Sequence, residues 1–543
     1  MLNGAQALLT ALTRAGLDTC FANPGTSEMQ LVYEIGLGDT VRPVLCLQEN
    51  VVTGAADGYA RMAGKPAFTL LHVGSGFANG IANLHNASRA HVPIVNIVGA
   101  NATYHQPNFP EHEMVGGTIK DLAAVVSHWV AEARDANEMG PLGAEAVSQA
   151  IRGGGRVATL IAPTNCHWDP ASEAPVTSEP EAIPRAASST LQHVASLLKN
   201  GKKTALLLGG AALQSTQLEL AAQIAAACDA TLVGETFPTR LSRGAGQIKI
   251  PLVPYFVEMA QAFFSPFEQL ILIGAKSPVS TFAYRGLPAS KIPPHCNVVS
   301  LVSVEQNIAH ALTELAAMVG QLNHAYPREE RPEILPEPGQ DVALTAESIG
   351  RAITQYLPEA AIIVDESATA GLGINQHCVG AEKHEYLYAV PGASIGNGLP
   401  MALGAAIACP DQKVLALQAD GSAMYTNQAL WSIAREQCDV TIVIIKNDAY
   451  AILDVELARV REDAPNSKMQ SMLALDNPSI DWVQLAKGLG IEAVSASTEA
   501  SFYDALKTAL NTKGPRLIEA CIAQNLQPVI NMVMQQKQKH SDE

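Results

Sequence analysis

The chain has 543 residues, more than one hydrophobic core sustains, so two to four domains are expected. With 48% hydrophobic and 16% charged residues it is too apolar for a disordered chain. A formal charge of −17, with no basic patch carrying interleaved aromatics, argues against nucleic acid or an anionic membrane as a main partner.

The opening stretch MLNGAQALLTALTRAG lacks a basic segment followed by a long apolar run, so it is read as a first helix rather than a signal. Apolar, β-branched runs then alternate with Ala-rich helical stretches at 67–73, 94–98, 157–161, 204–208, 270–273, 361–364, 413–417, 440–445 and 516–520. Such runs read as parallel strands buried on both faces, joined by helical crossovers, which makes the class α/β with doubly wound parallel sheets. Two polar, Pro-rich stretches, 169–185 and 327–340, read as linkers. They set expected domains at 1–170, 186–326 and 341–530, with a polar tail at 531–543. No apolar run is long enough for a membrane span. The nine cysteines are dispersed without a CxxC, the pattern of reduced thiols in a cytoplasmic protein.

Several motifs sit where strands end. Asn23-Pro24-Gly25-Thr26 follows a strand-like 20–22, and Glu49 follows 44–47 and precedes AADGYAR. His72 stands in LLHVGSGFANG, Asp365-Glu366-Ser367-Ala368-Thr369 follows AAIIV, and Pro391–Gly398 reads PGASIGNG. Alone, a strand-end glutamate is usually solvated and a strand-end histidine structural.

The last third is more specific. VLALQ leads to Ala419-Asp420-Gly421-Ser422, a helical stretch at 427–436 and a second strand, which ends at Asn447-Asp448-Ala449-Tyr450. Asp420 and Asn447 lie 27 residues apart, about one βαβ crossover, so the two strand ends can be neighbours where open sheets bind ligands. A carboxylate, an amide oxygen and a backbone carbonyl are hard donors suited to Mg²⁺. The Gly421-Ser422 turn, leading into a helix, can offer N–H groups to phosphate oxygens. No GxxxxGK[ST] and no strand-linked GxGxxG occurs, which argues against NTP hydrolysis and dinucleotide-dependent redox chemistry.

Together these motifs resemble the thiamine diphosphate (ThDP) enzymes that cleave or join the bond next to the carbonyl of a 2-oxo acid. ADGS with Asn447 is similar to their GDG–N signature. Asn23–Thr26 resembles the corresponding turn of benzoylformate decarboxylases, and the acetolactate synthases are the other near relatives. The resemblance implies that Asp420, Asn447 and the Ala449 backbone hold Mg²⁺ against the diphosphate, with Gly421, Ser422 and Tyr450 around it. Ser367 and Thr369 would be further diphosphate contacts. Ala393 would accept from the 4′-amino group and Ile395 would wedge between the rings. Glu49 would contact N1′ of the aminopyrimidine, favouring the tautomer that deprotonates the thiazolium. Thr26 and His72 would orient the substrate carboxylate and move protons.

The same resemblance implies a 2-oxo acid substrate and a homodimer or homotetramer in which Glu49 of one subunit meets the diphosphate site of another. FAD is left open and not favoured, since no FAD-contacting pattern is recognised in the central stretch. Leu453 stands where pyruvate decarboxylases carry a glutamate. No second histidine occurs in GAKSPVSTFAYRG, where Phe282 or Tyr284 is expected instead. His105, in GANATYHQPNFPEHE, is expected to reach the pocket. Decarboxylation of the benzoylformate type is favoured. The alternatives are an acetolactate synthase-like carboligase and, more remotely, an inactive ThDP-binding paralogue.

Overall fold

The computed structural model describes residues 2–105, 108, 110–172, 182–320, 325–333, 335–460, 465–523, 526, 530 and 531. The expected linkers at 169–185 and 327–340 and the tail at 531–543 fall partly outside these residues.

The buried runs read from the sequence form three sheets. The first has six parallel strands in the order Arg42–Leu45, Thr19–Asn23, Ala67–Leu71, Ile94–Ala100, Val157–Pro163, Trp129–Glu132. The central sheet is parallel, in the order Thr231–Gly234, Thr204–Leu208, Gln269–Ile273, Asn297–Val302. The third has seven strands: Leu241–Arg243, His384–Tyr388, Ile362–Glu366, Val414–Ala419, Val440–Lys446, Arg516–Cys521, Glu492–Ala496. All its pairings are parallel except that of Leu241–Arg243. That edge strand comes from the chain segment assigned by sequence to the central domain, so the central segment is stitched into the third sheet.

Strand order fixes where ligands can bind. In the first sheet the direction of winding reverses between Thr19–Asn23 and Ala67–Leu71. In the third it reverses between Ile362–Glu366 and Val414–Ala419. Adjacent crossovers then leave in opposite directions and open a crevice at the carboxyl ends of the strands. Thr26 and His72 follow the first pair, and Ser367 and Asp420 follow the second.

The first and third sheets share one hydrophobic core that runs from Phe21 to Leu517. Its seam is the contact between the helices Glu49–Ala63 and Gly398–Ala408. Gly54 and Gly58 are four residues apart and therefore on one helix face. A Cβ at Gly58 would lie 2.1 Å from the Met401 carbonyl oxygen, and one at Gly404 would lie 1.9 Å from that of Ala55. Glycine here permits backbone-to-backbone approach. Among the described residues no helix is long and apolar enough to cross a membrane.

Because both close neighbours are backbone, they have no rotamer with which to yield. Gly404→Ala is expected to cost roughly 1–3 kcal/mol by overpacking, read as a lower urea midpoint. An unchanged midpoint would show that the seam is looser than described.

Candidate active site

The crevice of the first sheet is built from three turns. Glu49 is the first residue of its helix and is buried, with Gln48 as N-cap accepting from Asn50 and Val51. Asn79 donates to Glu49 Oε2 at 3.2 Å. His72 is the N-cap of Val73–Arg89, and Val73 holds φ +41°, a costly conformation for a β-branched residue. Gly76 separates the two groups: a Cβ there would lie 3.1 Å from Glu49 Oε1 and 3.3 Å from His72 Cβ. Thr26 is exposed at the start of a short 3₁₀ turn. The preceding Gly25 lies against the His72 ring, where a Cβ would come within 2.3 Å.

The partners of His72 were not read from the sequence. Its Nδ1 lies 2.8 Å from Glu28 Oε2, and its Nε2 lies 2.9 Å from His112 Nε2. Glu28 is fully buried and also accepts from the Gly25 N–H at 2.8 Å. Burial pushes its carboxyl above the usual range, opposed by the Gly25 amide and His72. The only sequence signal for Glu28 was an acid two residues after Thr26. His105 does not occupy this place: it sits exposed in the turn Thr103–His105 with its ring against Tyr104. His112 takes that place instead.

At the third sheet's crevice, Asp420 is buried just past Val414–Ala419. Its Oδ1 accepts from Gly421 N–H at 2.8 Å, and its Oδ2 from Asn447 at 3.0 Å and Asp448 at 2.8 Å. Burial raises its pKa and these amides oppose the rise. Asn447 Oδ1 accepts from Ala449 N–H at 3.0 Å. The 27-residue spacing therefore does bring the two ends together. The Tyr450 ring lies over Gly421, where a Cβ would meet Cε1 at 2.5 Å. The expected helix at 427–436 is present as Ala429–Arg435, and a separate short helix, Asp420–Ala423, precedes it. Ser422 is buried, donating to Ala419 O at 3.1 Å and accepting from Gln418 Nε2 at 2.6 Å. Ser367 is turned inward: its hydroxyl and N–H both go to Asp365 Oδ1. Thr369 is partly exposed beside it.

Glu366 joins these pieces. It is buried and accepts from Gly396 N–H at 2.5 Å, Gly398 N–H at 2.6 Å and Gln418 Nε2 at 3.1 Å. From the other side Asn86 donates to Ser394 O at 2.7 Å and Asn83 to Gly396 O at 3.3 Å. The turn bearing Ala393 and Ile395 is thereby clamped between the two sheets, with Ala393 at φ +61° and its side chain exposed. Leu453 lies in the helix Ala451–Val460, 41% exposed. Tyr284 does approach that helix, but its hydroxyl donates to Glu456 at 3.0 Å, while Phe282 is exposed.

This arrangement suits a diphosphate cofactor held through a divalent cation. Asp420 is a buried carboxylate whose partners in the fold are neutral amides, and an ionised buried carboxylate calls for a cation. Among the described residues no three His, Cys, Asp or Glu side chains form a metal cluster. A donor set of the Asp420 carboxylate with the neutral Asn447 and Ala449 oxygens would leave positions for water and phosphate, as Mg²⁺ requires.

Comparison with known proteins agrees. Residues 2–124 match the thiamine pyrophosphate enzyme N-terminal TPP binding domain, and residues 371–520 match the C-terminal TPP binding domain. A Mycobacterium tuberculosis protein given the provisional name acetolactate synthase large subunit IlvX is 43% identical, over 96% of this chain and 99% of that protein. Benzoylformate decarboxylase of Pseudomonas aeruginosa is 29% identical, over 94% of this chain and 96% of that enzyme. The structure of a ThDP-dependent 4-hydroxybenzoylformate decarboxylase from Rhodococcus jostii RHA1 superposes with a TM-score of 0.82 at 23% identity, over 96% of this chain and 99% of that one.

Glu366 gives the site a measurable pH signature. Burial pushes its carboxyl up to about 7, against the Gly398, Gly396 and Gln418 donors. Its contribution to stability is full below its unfolded-state value near 4.5 and is lost as pH rises through about 7, on the order of 3 kcal/mol. Glu366→Gln, which cannot ionise, is expected to flatten the fall in urea midpoint across that window. Parallel profiles for the two proteins would refute the assignment.

Proposed function

The chain belongs to the thiamine pyrophosphate enzymes of the decarboxylase and acetolactate synthase type, and from that premise we propose that it catalyses non-oxidative decarboxylation of a 2-oxo acid of the benzoylformate kind. The observation that supports this most is His72, anchored by buried Glu28 and set beside Glu49 across Gly76. A decarboxylase must place a proton on the carbon that CO₂ leaves, and this is a proton-bearing group held at the mouth of the cofactor crevice.

When bound, ThDP supplies a thiazolium that withdraws the electrons of the bond being broken. The chain's own residues do the rest. In this reading 1–170 is the pyrimidine-binding domain, 186–326 the central domain and 341–530 the diphosphate-binding domain. Asp420, Asn447 and the Ala449 carbonyl hold Mg²⁺. The Gly421 and Ser422 amides and Tyr450 receive the diphosphate, with Thr369 and the Ser367 turn alongside. The Ala393 carbonyl and the Ile395 side chain orient the aminopyrimidine, and Glu49 binds its N1′. Thr26 and His72 orient the substrate carboxylate, and His72 moves the proton. Met29, Tyr33 and Leu37 on the helix Met29–Leu37, and Met424 and Tyr425 beside Ser422, are exposed, which supports a homodimer, alone or paired into a tetramer, with sites shared between subunits.

The second reading is a carboligase, favoured by the 43% identical relative and its acetolactate synthase name. It differs in the fate of the acyl fragment, which would add to a second carbonyl rather than take a proton.

Two measurements decide. Pyruvate, 2-oxobutyrate, branched 2-oxo acids and benzoylformate are supplied with ThDP and Mg²⁺, and CO₂ and organic products are followed together. Benzaldehyde and CO₂ in equal amounts are expected, whereas acetohydroxy acid as the main product would make the second reading correct. Separately, ThDP with Mg²⁺ should raise the unfolding temperature of the wild type and leave that of Asp420→Ala unmoved. An equal rise in both would remove Asp420 from the metal site.

A further inference from the structure

We propose that His112 is the proton-relay residue of this site, recharging His72 from solvent after each turnover. The inference rests on the reading above in which His72 moves a proton, and it adds the route by which that proton is replaced.

The geometry is a three-member chain. Glu28 is fully buried, His72 has 22% of its side chain exposed, and His112 is exposed. The links are 2.8 Å from Glu28 Oε2 to His72 Nδ1 and 2.9 Å from His72 Nε2 to His112 Nε2. Two imidazole nitrogens at that distance share one proton, because one must donate and the other accept. With Glu28 ionised, His72 Nδ1–H donates to it and His72 Nε2 accepts from His112 Nε2–H. With Glu28 protonated, its O–H donates to Nδ1 and His72 Nε2–H donates to His112. Passage from the first arrangement to the second moves two protons inward. The His112 Nε2–H bond breaks as a new one forms at His72 Nε2, and the His72 Nδ1–H bond breaks as one forms on Glu28. An imidazolium at His112 and a carboxylate at Glu28 both become neutral, so charge balances and no other reactant is needed.

Burial favours the neutral form of Glu28, so both arrangements are within reach of one another. After His72 gives up its Nε2 proton, the group beside it that also meets water is His112.

His112 is not a loose side chain that happens to fall there. The next residue, Glu113, accepts from Asn101 Nδ2 at 2.6 Å. Met114 then packs onto the first turn of the Val73–Arg89 helix, where a Cβ at Gly74 would lie 2.4 Å from its Sδ. Both anchors grip residues beside the His72 strand end. Glu49 lies across Gly76 from His72, and Glu111 and Glu113 flank His112 in the sequence.

The contact is tested first on the protein without cofactor. Diethyl pyrocarbonate modifies free imidazole nitrogens, and with Nδ1 against Glu28 the reactive atom of His72 is Nε2. Mapped by mass spectrometry, modification of His72 should be several-fold faster in His112→Ala than in wild type. Equal rates would overturn the contact. Turnover of the holoenzyme then tests the relay. His112→Ala and His112→Gln should both lose about 10²-fold, and free imidazole should restore much of the loss, since a diffusing base can replace a relay but not a packing contact. A loss in His112→Ala without imidazole rescue, or full activity in His112→Gln, would overturn the relay. His72→Ala separates the two ideas: if it is inactive while His112→Ala is unimpaired, the relay fails alone, and if His72→Ala is fully active, the proton role of His72 fails with it.

Discussion

The structure depends on one close contact, the seam between the helices Glu49–Ala63 and Gly398–Ala408. Glu49 heads the first helix, and the turn carrying Ala393 and Ile395 runs directly into the second. Whatever fixes the two axes therefore fixes the carboxylate relative to the turn. Gly54, Gly58 and Gly404 bring the backbones within contact distance. Within the first helix Arg61 Nε and Nη2 hold the two Asp57 oxygens at 2.7 and 2.9 Å, and across the seam Asn397 Nδ2 binds the same carboxylate at 3.0 Å. Such a pair adds little net stability once desolvation is subtracted. The pair lies within one helix and would survive a slide, but the Asn397 bond to its carboxylate, which crosses the seam, would be lost. Arg61 also donates to the Tyr388 carbonyl at 2.8 Å and the Thr239 carbonyl at 2.9 Å, which ties all three segments of the chain to one guanidinium.

Backbone strain accumulates where chemistry is proposed. Eight non-glycine residues among those described have positive φ. Four of them, Val73, Ala368, Ala393 and Asp448, lie next to His72, between Ser367 and Thr369, in the glycine-rich turn, and after Asn447. Each costs on the order of 1–3 kcal/mol and persists only where its neighbours over-determine it. The hydrogen bonds accepted by Glu366 and donated by Asn83 and Asn86 do so for the turn. The Asp420 carboxylate does so for the 447–448 corner, accepting both of its amides. These groups stiffen a site that must hold a cofactor in one pose.

The strands read from the sequence, such as Ala67–Leu71, Ile94–Ala100 and Val440–Lys446, were legible because a parallel strand buried on both faces is a continuous apolar run, whereas Trp129–Glu132 and Glu492–Ala496, only partly buried, were not. The Asp420–Asn447 pair was legible for a related reason, since a βαβ crossover has a narrow range of lengths. Leu241–Arg243 was not, being three residues with one buried hydrophobe at an edge, paired antiparallel with a strand more than 140 residues later. Glu28, His112 and Glu366 were missed because their meaning lies in what they touch. Glu28 reads as an acid in a first helical turn, and Glu366 as a polar strand end. His112 is reached only because Glu113 and Met114 carry the loop back to the His72 strand end, a return with no periodicity to betray it. Conversely, Ser367 read as an available hydroxyl, and the fold spends it on Asp365.

Two crevices of the same construction thus divide the work. Both lie where the winding of a parallel sheet reverses, and both contain a carboxylate raised by burial. In the third sheet Asp420 is given only amide partners in its immediate corner, an environment that a divalent cation completes. In the first sheet Glu28 is given an imidazole, an environment that a proton completes. Burial alone would make each group neutral and inert. In the readings proposed above it is the partner that would turn desolvation into function, a metal site in one case and a proton path in the other. A single helix seam holds the two crevices of the chain in fixed relation, which fixes how the crevices of two subunits would meet in the proposed homodimer.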